Sequence, residues 1–292
     1  MPRHFLTGRE LTEAELDALL HRAAELKRDP LASRALAGRS VALVFEAPST
    51  RTRVSFEVGI FELGGHALIL RPDELQLSRG ESVGDLARVL SRHVAAIGLR
   101  TGDEDRLTAL AEHATVPVVN LLSPLHHPCQ ALADLLTLRE AFGDDLRGRR
   151  LAYVGDGNNV ARSLAIVGGL AGVEVAVAAP ARYQLEEESG AQLLSEPEAA
   201  AEGADAVYTD VWVSMSDDEA TAGERRRDLA PYRLDDALLD RARDGVVALH
   251  CLPAHPGEEV TAEVLYGNRQ RIWDQAENRR HVQKALLELL VA

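Results

Sequence analysis

Short apolar runs alternate with amphipathic stretches along the first half of the chain. The runs predict strands at 41–46, 66–70, 94–99 and 116–121. The stretches between them, where apolar residues recur at helical spacing, predict helices at 51–63, 83–92 and 105–113. Strands that alternate with helices in this way form parallel sheets covered on both faces.

The second half repeats the alternation after a predicted helix at 128–142. Its apolar runs predict strands at 151–154, 173–178, 206–209 and 246–250. Between them, the Glu/Ala-rich segment 195–205 predicts a solvated helix, and the highly charged segment 217–228 predicts a mobile loop. Near the start, Thr12 and Glu15 have the spacing of a capping box before a further amphipathic helix.

The pattern therefore predicts an α/β protein with two doubly wound parallel-sheet domains. We place the first at 1–134 and the second at 135–276. The last stretch, 277–292, carries one apolar face and is expected to pack back on the first domain as a helix. Ligands of such sheets bind beyond the carboxyl ends of the strands, so we expect an active site in the crevice between the domains.

Length and charge fit this organisation. The 292 residues suit two domains of about 150 residues, and 46% hydrophobic residues supply their cores. The 32 basic and 46 acidic residues give a net charge of −14, which argues against nucleic acid or an anionic membrane as a partner. Two cysteines without metal-ligand spacing, no signal peptide and no apolar run long enough to span a membrane predict a cytoplasmic protein.

The densest polar motif is Ser-Thr-Arg-Thr-Arg at 49–53, between a predicted strand and a predicted helix. Free backbone N–H groups at a helix start favour an anion. Arg51 and Arg53 add planar guanidiniums that suit phosphate oxygens, and Ser49, Thr50 and Thr52 add short hydroxyl donors. A capped helix with solvated arginines is the alternative, but the density of donors favours a phosphate or a phosphate ester.

Three other segments carry candidate chemistry at the ends of predicted strands. His127 and Gln130 lie at the start of the 128–142 helix, where an imidazole and an amide could contact a carbonyl group and its neighbours. Taken alone, the motif fits better with a helix start that has a buried Cys129 and a hydrogen-bonded His127 without a ligand. Asp210 follows a strand and could hold an ammonium group, although an exposed acid at a strand end is equally compatible. Cys251 could be an ordinary buried thiol, and Leu252-Pro253 is a candidate for a cis peptide bond.

The glycines at 155 and 157 suggest a dinucleotide-binding loop after the strand at 151–154. The third glycine of that motif is replaced by Val160, and no acidic residue stands at the end of the next strand. We therefore discount NAD as a cofactor.

Taken in chain order, these segments resemble the aspartate/ornithine transcarbamoylase family, and most closely its ornithine carbamoyltransferases. The resemblance covers nearly the whole chain. The segments that carry it are 49–53, Arg100, His127-Pro128-x-Gln130, Asp210-x-Trp212-x-Ser214-Met215, His250-Cys251-Leu252-Pro253 and Glu277-Asn278-Arg279.

The resemblance implies transfer of the carbamoyl group from carbamoyl phosphate to the side-chain amine of L-ornithine, which gives L-citrulline and phosphate. It implies neither a metal nor an organic cofactor. The residues it implies for carbamoyl phosphate are Ser49, Thr50, Arg51, Thr52, Gln76, Arg100, His127, Gln130, Cys251, Leu252 and Arg279. Those it implies for ornithine are Asn159, Asp210, Ser214 and Met215. The implied catalytic residues are Arg100, His127, Cys251 and Arg279.

Several alternatives stay open at this point. A carbamoyltransferase for putrescine, aspartate or an acylated ornithine would share the phosphate half, and a non-catalytic regulator would share the fold. The family resemblance also implies arginine biosynthesis and a homotrimer or an assembly of trimers, with Gln76 reaching a neighbour's site. The sequence departs from the family pattern at Ser216, Pro256 and Leu121, and the first of these changes a glycine of a loop expected to close over ornithine.

Overall fold

The computed structural model describes residues 2–75, 80–213 and 219–292. The first strands and helices in chain order are α1 (Glu13–Arg28), β1 (Ser40–Phe45), α2 (Thr50–Glu62), β2 (His66–Leu70), α3 (Val83–Leu90), β3 (Ala96–Arg100), α4 (Glu104–His113), β4 (Val118–Leu122) and α5 (Pro128–Phe142). They are followed by β5 (Arg150–Val154), α6 (Asn159–Leu170), β6 (Glu174–Ala178), β7 (Gln192–Leu194), α7 (Pro197–Ala201) and β8 (Ala206–Thr209). The last are α8 (Glu219–Leu229), α9 (Asp236–Leu239), β9 (Val247–His250), α10 (Ala262–Leu265) and α11 (Ile272–Val291).

The chain forms two compact units. The first comprises residues 1–136 and 277–292, and the second comprises residues 137–276. Helix α5 carries the chain from the first unit into the second, and α11 returns it to the first. Among the described residues, no helix is long and apolar enough to cross a membrane.

The first unit is built on a four-stranded parallel sheet in the order β2-β1-β3-β4. β1 and β3 lie side by side, and their last residues, Phe45 and Arg100, are partners in the register. The central strands β1 and β3 are buried apolar runs, as expected for a parallel sheet covered by helices. The carboxyl ends of β1, β3 and β4 therefore meet at one edge of the sheet.

The end of the chain completes this first unit. Val282, Ala285 and Leu286 on α11 are buried in it. The ammonium group of Lys284 donates to the backbone oxygen of Leu26, in α1, at 3.1 Å. It also pairs with Glu62, the last residue of α2, at 2.5 Å. The apolar face and the buried ion pair together fix α11 against the two helices.

The second unit is built on a five-stranded parallel sheet in the order β7-β6-β5-β8-β9. One core cluster includes Val154 and Val207 on the central strands and Leu239, Val264 and Ile272 on the covering helices. Both sheets confirm the predicted fold class of two doubly wound parallel-sheet domains. The strand at 66–70, the strand at 206–209 and the helix at 128–142 are confirmed at their predicted bounds.

Three local predictions need correction. The segment 217–228 was expected to be a mobile loop, but its residues from 219 onward lie in helix α8, which ends at Leu229. Ion pairs and the buried Leu229 hold this charged sequence in helical form. The segment expected to be a solvated helix contains α7, whose Ala200 and Ala201 are buried. Strand β7 was not predicted, because a three-residue strand with one exposed and two half-buried residues is too short to show an apolar pattern.

Candidate functional site

The start of α2 lies at the carboxyl edge of the first sheet. Ser49 occupies the N-cap position, and its side chain makes no capping hydrogen bond to the helix. Instead its hydroxyl accepts from the Arg100 guanidinium at 3.2 Å. This contact joins the end of β3 to the helix start, as expected for neighbouring strands that end at one edge. Thr50 and Arg51 follow as the first residues of α2.

Thr52 connects the same helix turn to the end of the chain. Its side chain is buried, and its hydroxyl accepts from Arg279 on α11 at 2.6 Å. Arg279 is itself only 3% exposed. A guanidinium from a segment more than two hundred residues away thus lies beside the predicted phosphate-binding turn.

His127 lies among three of the predicted arginines. Its side chain is buried, and burial together with the charges of Arg279, Arg100 and Arg51 holds the pKa of His127 well below its ordinary value. The imidazole is therefore neutral at physiological pH. The structure thus brings together, in the first unit, residues that stand far apart in the sequence.

Gln130 lies one turn into α5, next to His127. Its amide nitrogen donates to Asp134 at 2.8 Å, and the side chain is 1% exposed. Among the described residues, its amide oxygen has no hydrogen-bond partner. A buried acceptor without a partner is costly, so this oxygen is suited to accept from an N–H group of a bound ligand.

Cys129 lies between His127 and Gln130 in the sequence, but its side chain differs from theirs in character. Its thiol is fully buried, and burial raises the pKa of Cys129 to about 12, although Arg279 opposes the shift. A thiol that stays protonated is not a nucleophile. Cys129 is a packing residue.

In the second unit, Asp210 follows β8 and lies between two other predicted polar segments. One carboxylate oxygen accepts from the Asn158 amide at 2.9 Å. The other accepts from the Cys251 thiol at 2.7 Å. Because β5, β8 and β9 are neighbours in one parallel sheet, the residues after their carboxyl ends meet here.

Tyr153 lies beneath this cluster. Its hydroxyl donates to Asn158 at 3.1 Å, and its ring stacks on Tyr208 at 5.5 Å between centroids. Burial, reinforced by the negative charges of Asp210 and Asp156, raises the pKa of Tyr153 well above its ordinary value. The phenol stays protonated and keeps the Asn158 amide in place.

Asn159 was predicted to bind the amino-acid end of ornithine, whereas the asparagine that contacts Asp210 in the structure is Asn158, which was not predicted. Asn158 is the N-cap of α6: its amide oxygen accepts from the backbone N–H of Val160 at 2.9 Å, which leaves the amide nitrogen for Asp210. Asn159 is the first residue of α6 and is partly buried. The signal available in the sequence was the preference of asparagine for the position before a helix.

The glycine-rich loop before α6 has a packing role. A Cβ on Gly157 would lie 2.6 Å from the backbone oxygen of Tyr183 and 2.8 Å from the backbone nitrogen of Leu185. The Gly157 N–H donates to the Tyr183 oxygen at 2.7 Å. The backbone of residues 183–185 therefore fills the space beside Gly157. Close packing accounts for a glycine at this position, and no dinucleotide is needed to explain it.

The Cys251–Pro253 turn leaves the last strand of the second sheet. Leu252 has a positive φ of 61°, and the Leu252–Pro253 peptide bond is cis, as the sequence suggested. Cys251 is partly buried beside Asp210. The predicted residues Gln76, Ser214 and Met215, like Ser216, lie outside the described residues.

Two groups of side chains have the composition of metal ligands. Asp210, His250 and Cys251 offer ligand atoms within 4.8 Å of one another, as do His255, Glu258 and Glu259. Both ring nitrogens of His250 already have partners, however, in the Leu252 N–H and the Glu259 carboxylate. The first group is therefore explained as a hydrogen-bonded structure around the turn.

The two units thus carry complementary chemistry. The first presents three guanidiniums, a neutral imidazole and a helix start, which together suit a phosphorylated ligand with a carbonyl group. The second presents a carboxylate braced by an amide and a thiol, which suits a cationic or amine-bearing ligand.

Comparison with known proteins gives a consistent picture. Residues 3–140 match the family profile described as "Aspartate/ornithine carbamoyltransferase, carbamoyl-P binding domain". Residues 147–290 match the profile described as "Aspartate/ornithine carbamoyltransferase, Asp/Orn binding domain".

Individual relatives match along their full length. An ornithine carbamoyltransferase of Acidothermus cellulolyticus is 56% identical, over 100% of this chain and 97% of that protein. The crystal structure of ornithine carbamoyltransferase from Thermus thermophilus is similar with a TM-score of 0.93, 44% identity and full coverage of both chains. An ornithine carbamoyltransferase structure from Pyrococcus furiosus gives a TM-score of 0.93 at 45% identity, over 99% of this chain and 97% of that one.

Proposed function

Because the chain belongs to the aspartate/ornithine carbamoyltransferase family, we propose that it transfers the carbamoyl group of carbamoyl phosphate to the side-chain amine of L-ornithine. The products are L-citrulline and inorganic phosphate. It is an enzyme of the transferase class, and each half of the chain matches the profile for one of the two substrates.

The observation that carries the proposal is the arrangement around His127. Three arginines, Arg51, Arg100 and Arg279, lie close enough to depress the pKa of this buried imidazole. Guanidiniums beside a helix start suit an anionic ligand, because both the planar N–H forks and the free backbone N–H groups bind phosphate oxygens. Carbamoyl phosphate supplies a dianionic phosphate for the α2 start, where Ser49, Thr50, Arg51 and Thr52 would bind it.

The carbonyl oxygen of carbamoyl phosphate would point toward His127, Arg100 and Thr52. Attack of the neutral amine on the carbonyl carbon places negative charge on this oxygen, and donors already in position stabilise that charge. A neutral imidazole has one N–H to donate and is a weak base. We therefore assign His127 the role of donor, while Gln130 accepts from the carbamoyl NH2 through its unpartnered amide oxygen.

Collapse of the tetrahedral intermediate breaks the bond between the carbonyl carbon and the phosphate oxygen. The new C–N bond stays, phosphate leaves, and the proton of the attacking amine passes to the departing phosphate. No strong protein base is required, so most of the rate comes from positioning and from the fixed charges of Arg100 and Arg279.

The amine substrate is assigned to the second unit. Asp210 would accept from the α-ammonium group of ornithine, with Asn159, Ser214 and Met215 around the amino-acid end. Cys251 and Leu252 would lie near the side-chain amine. The support is the carboxylate of Asp210, which Asn158 and Cys251 hold in one orientation.

A turnover assay tests the proposal directly. The purified protein is incubated with carbamoyl phosphate and, separately, with L-ornithine, putrescine, L-aspartate and N-acetyl-L-ornithine, and the carbamoylated product and phosphate are measured. Citrulline from ornithine, at a rate well above that with the other three amines, is the expected result. Preference for another amine would change the substrate assigned to the second unit. Absence of turnover with all four amines would contradict the proposed carbamoyltransferase activity.

Three finer features belong to the same proposal. We infer that the enzyme works as a homotrimer, with Gln76 reaching a neighbouring copy, and that it acts in the cytoplasm in arginine biosynthesis. The support is the family resemblance. Light scattering checks the trimer, and mixing Arg51→Ala with Gln76→Ala subunits should restore some activity through hybrid sites. An active monomer would contradict it.

A further inference from the structure

We propose that His250 and Glu259 are positioning residues, which hold the Cys251–Leu252 turn of the amine-binding half in its working conformation. The inference rests on the proposed function, because the turn is the segment assigned to the side-chain amine of ornithine. Neither residue is required to touch a substrate. Both act through hydrogen bonds to the backbone around the turn.

The first observation is the set of contacts of the His250 imidazole. His250 ends β9, and its side chain is fully buried. Its Nδ1 accepts from the backbone N–H of Leu252 at 2.8 Å. Its Nε2 lies 3.1 Å from Oε1 of Glu259, which is also fully buried. An imidazole that accepts at Nδ1 carries its proton on Nε2, so the two contacts select one tautomer.

The second observation is that Glu259 reaches the far side of the same segment. Its Oε1 also accepts from the backbone N–H of His255 at 2.5 Å. The Glu259 carboxylate thus links the backbone of His255 to the His250 imidazole, which in turn binds the backbone of Leu252. Burial opposes the charge, but the hydrogen bonds from His250 and from the His255 N–H prevail and lower the pKa of Glu259.

The third observation is the turn that these bonds hold. Leu252 is the one non-glycine residue with positive φ in the described part of the chain. An L side chain seldom adopts this conformation without support from its surroundings. The Leu252 N–H bond to His250 supplies that support, and it directs the neighbouring Cys251 thiol at Asp210, 2.7 Å away.

The backbone of His250 is held as firmly as its ring. Its N–H donates to the Gln275 side chain at 3.0 Å, and that amide donates to the Tyr208 hydroxyl at 3.0 Å. These bonds fix the end of β9 independently of Glu259. Loss of the Glu259 carboxylate should therefore increase the mobility of the Cys251–Leu252 turn without displacing the strand.

Kinetics of Glu259 variants test the inference. We expect Glu259→Ala to lower kcat/KM for ornithine by about 10- to 100-fold, the effect of a small displacement of a positioned group, and to change KM for carbamoyl phosphate less, because the phosphate is assigned to the first unit. Glu259→Gln keeps an acceptor for both bonds and should recover most of the loss. Equal impairment of the two variants, or an Ala variant that folds and shows unchanged ornithine kinetics, would overturn the inference.

Asp205→Asn is the matched control. Asp205 is buried in the same unit and accepts from the Arg150 N–H at 2.8 Å and from Arg149 at 2.9 Å. It precedes β8, whereas Asp210 follows it, so it lies at the other end of that strand. This variant should reduce stability without a selective change in the ornithine KM.

A spectroscopic measurement on the wild-type protein covers the case in which Glu259→Ala fails to fold. The ¹⁵N shifts of the His250 ring at pH 8 should report a proton on Nε2 and a hydrogen-bonded, unprotonated Nδ1. A proton on Nδ1 would overturn the inference, whatever the kinetics. This measurement does not depend on turnover, so a protein that made no citrulline would contradict the proposed function and leave the tautomer test intact.

Discussion

At the scale of single residues, the side chains of the phosphate half are specialised by their surroundings. Arg51 and Arg53 stand two positions apart on α2. Arg51 contributes to the low pKa of His127, whereas Arg53 pairs with Glu57 at 3.3 Å on the helix surface. Two arginines of one motif thus have different roles, one beside His127 and one in a surface ion pair. The sequence at 49–53 does not distinguish them.

This pair gives the first prediction. Arg51→Ala should weaken binding of carbamoyl phosphate by about 2–3 kcal/mol or more, since a charged hydrogen-bond donor to phosphate is lost. Arg53→Ala is the control and should change the affinity little, because exposed ion pairs contribute little. Titration calorimetry with carbamoyl phosphate or a phosphonate analogue measures both, and unchanged affinity in Arg51→Ala would contradict the assignment.

The second prediction concerns His127. His127→Ala should lower kcat by about 10²–10³, the loss of one donor to a developing oxyanion, and His127→Gln should retain more activity because its amide still donates. Since the pKa of His127 is depressed, the imidazole stays neutral as pH rises through 6.5, and kcat should show no step there from this group. A Gln variant as inactive as Ala would favour a base role for His127.

At the scale of elements, the loop between β5 and α6 depends on close backbone contact. Gly157 faces the backbone of residues 183–185, and the ion pair of Asp156 with Arg225 at 2.5 Å attaches α8 to the same loop. Arg225 also lies over the Tyr183 ring at 4.7 Å. These contacts explain why a strongly charged segment forms a helix.

Gly157 gives the third prediction. Gly157→Ala should destabilise the protein by about 1–3 kcal/mol and weaken ornithine use, because the added methyl forces the backbone near Tyr183 to move. Gly169→Ala, in α6 with open space around it, is the control and should be neutral or stabilising by up to about 1 kcal/mol. Denaturant unfolding compares the two, and equal effects would contradict the packing argument.

At the scale of the whole molecule, the first unit is assembled from both ends of the chain. It contains three histidines whose pKa values are lowered, chiefly by burial: His4, His127 and His281. His281 is fully buried, and burial, with the charges of Arg280 and Lys284, lowers its pKa to about 4.

The fourth prediction follows from these histidines. A group whose folded pKa lies below its unfolded value binds fewer protons when folded, so stability is lost as pH falls between the two values. For His281 this window runs from about 6.5 to about 4 and is worth up to about 3 kcal/mol. The free energy of unfolding should therefore fall across it, and His281→Gln should reduce the slope. An equal slope in wild type and variant would contradict the assignment.

The sequence by itself determined the class of fold and the approximate positions of most of the longer strands and helices, and it predicted an anion site at 49–53. Hydrophobic periodicity is local, so the apolar strands and the helix at 128–142 could be read from neighbouring residues. The motif at 49–53 contains both the start of a helix and the hydroxyl and guanidinium donors around it. It therefore indicates an anion site without reference to any tertiary contact.

The tertiary structure decided which residues meet. Arg279 lies beside Thr52, three arginines lie around His127, and Asn158 is a partner of Asp210. Each of these contacts joins helices, strands or loops that are close in space and distant in sequence. The bonds of His250 to Leu252 and Glu259 likewise require the folded turn. Local patterns determine elements, whereas burial, charge proximity and hydrogen-bond partners are properties of the folded chain.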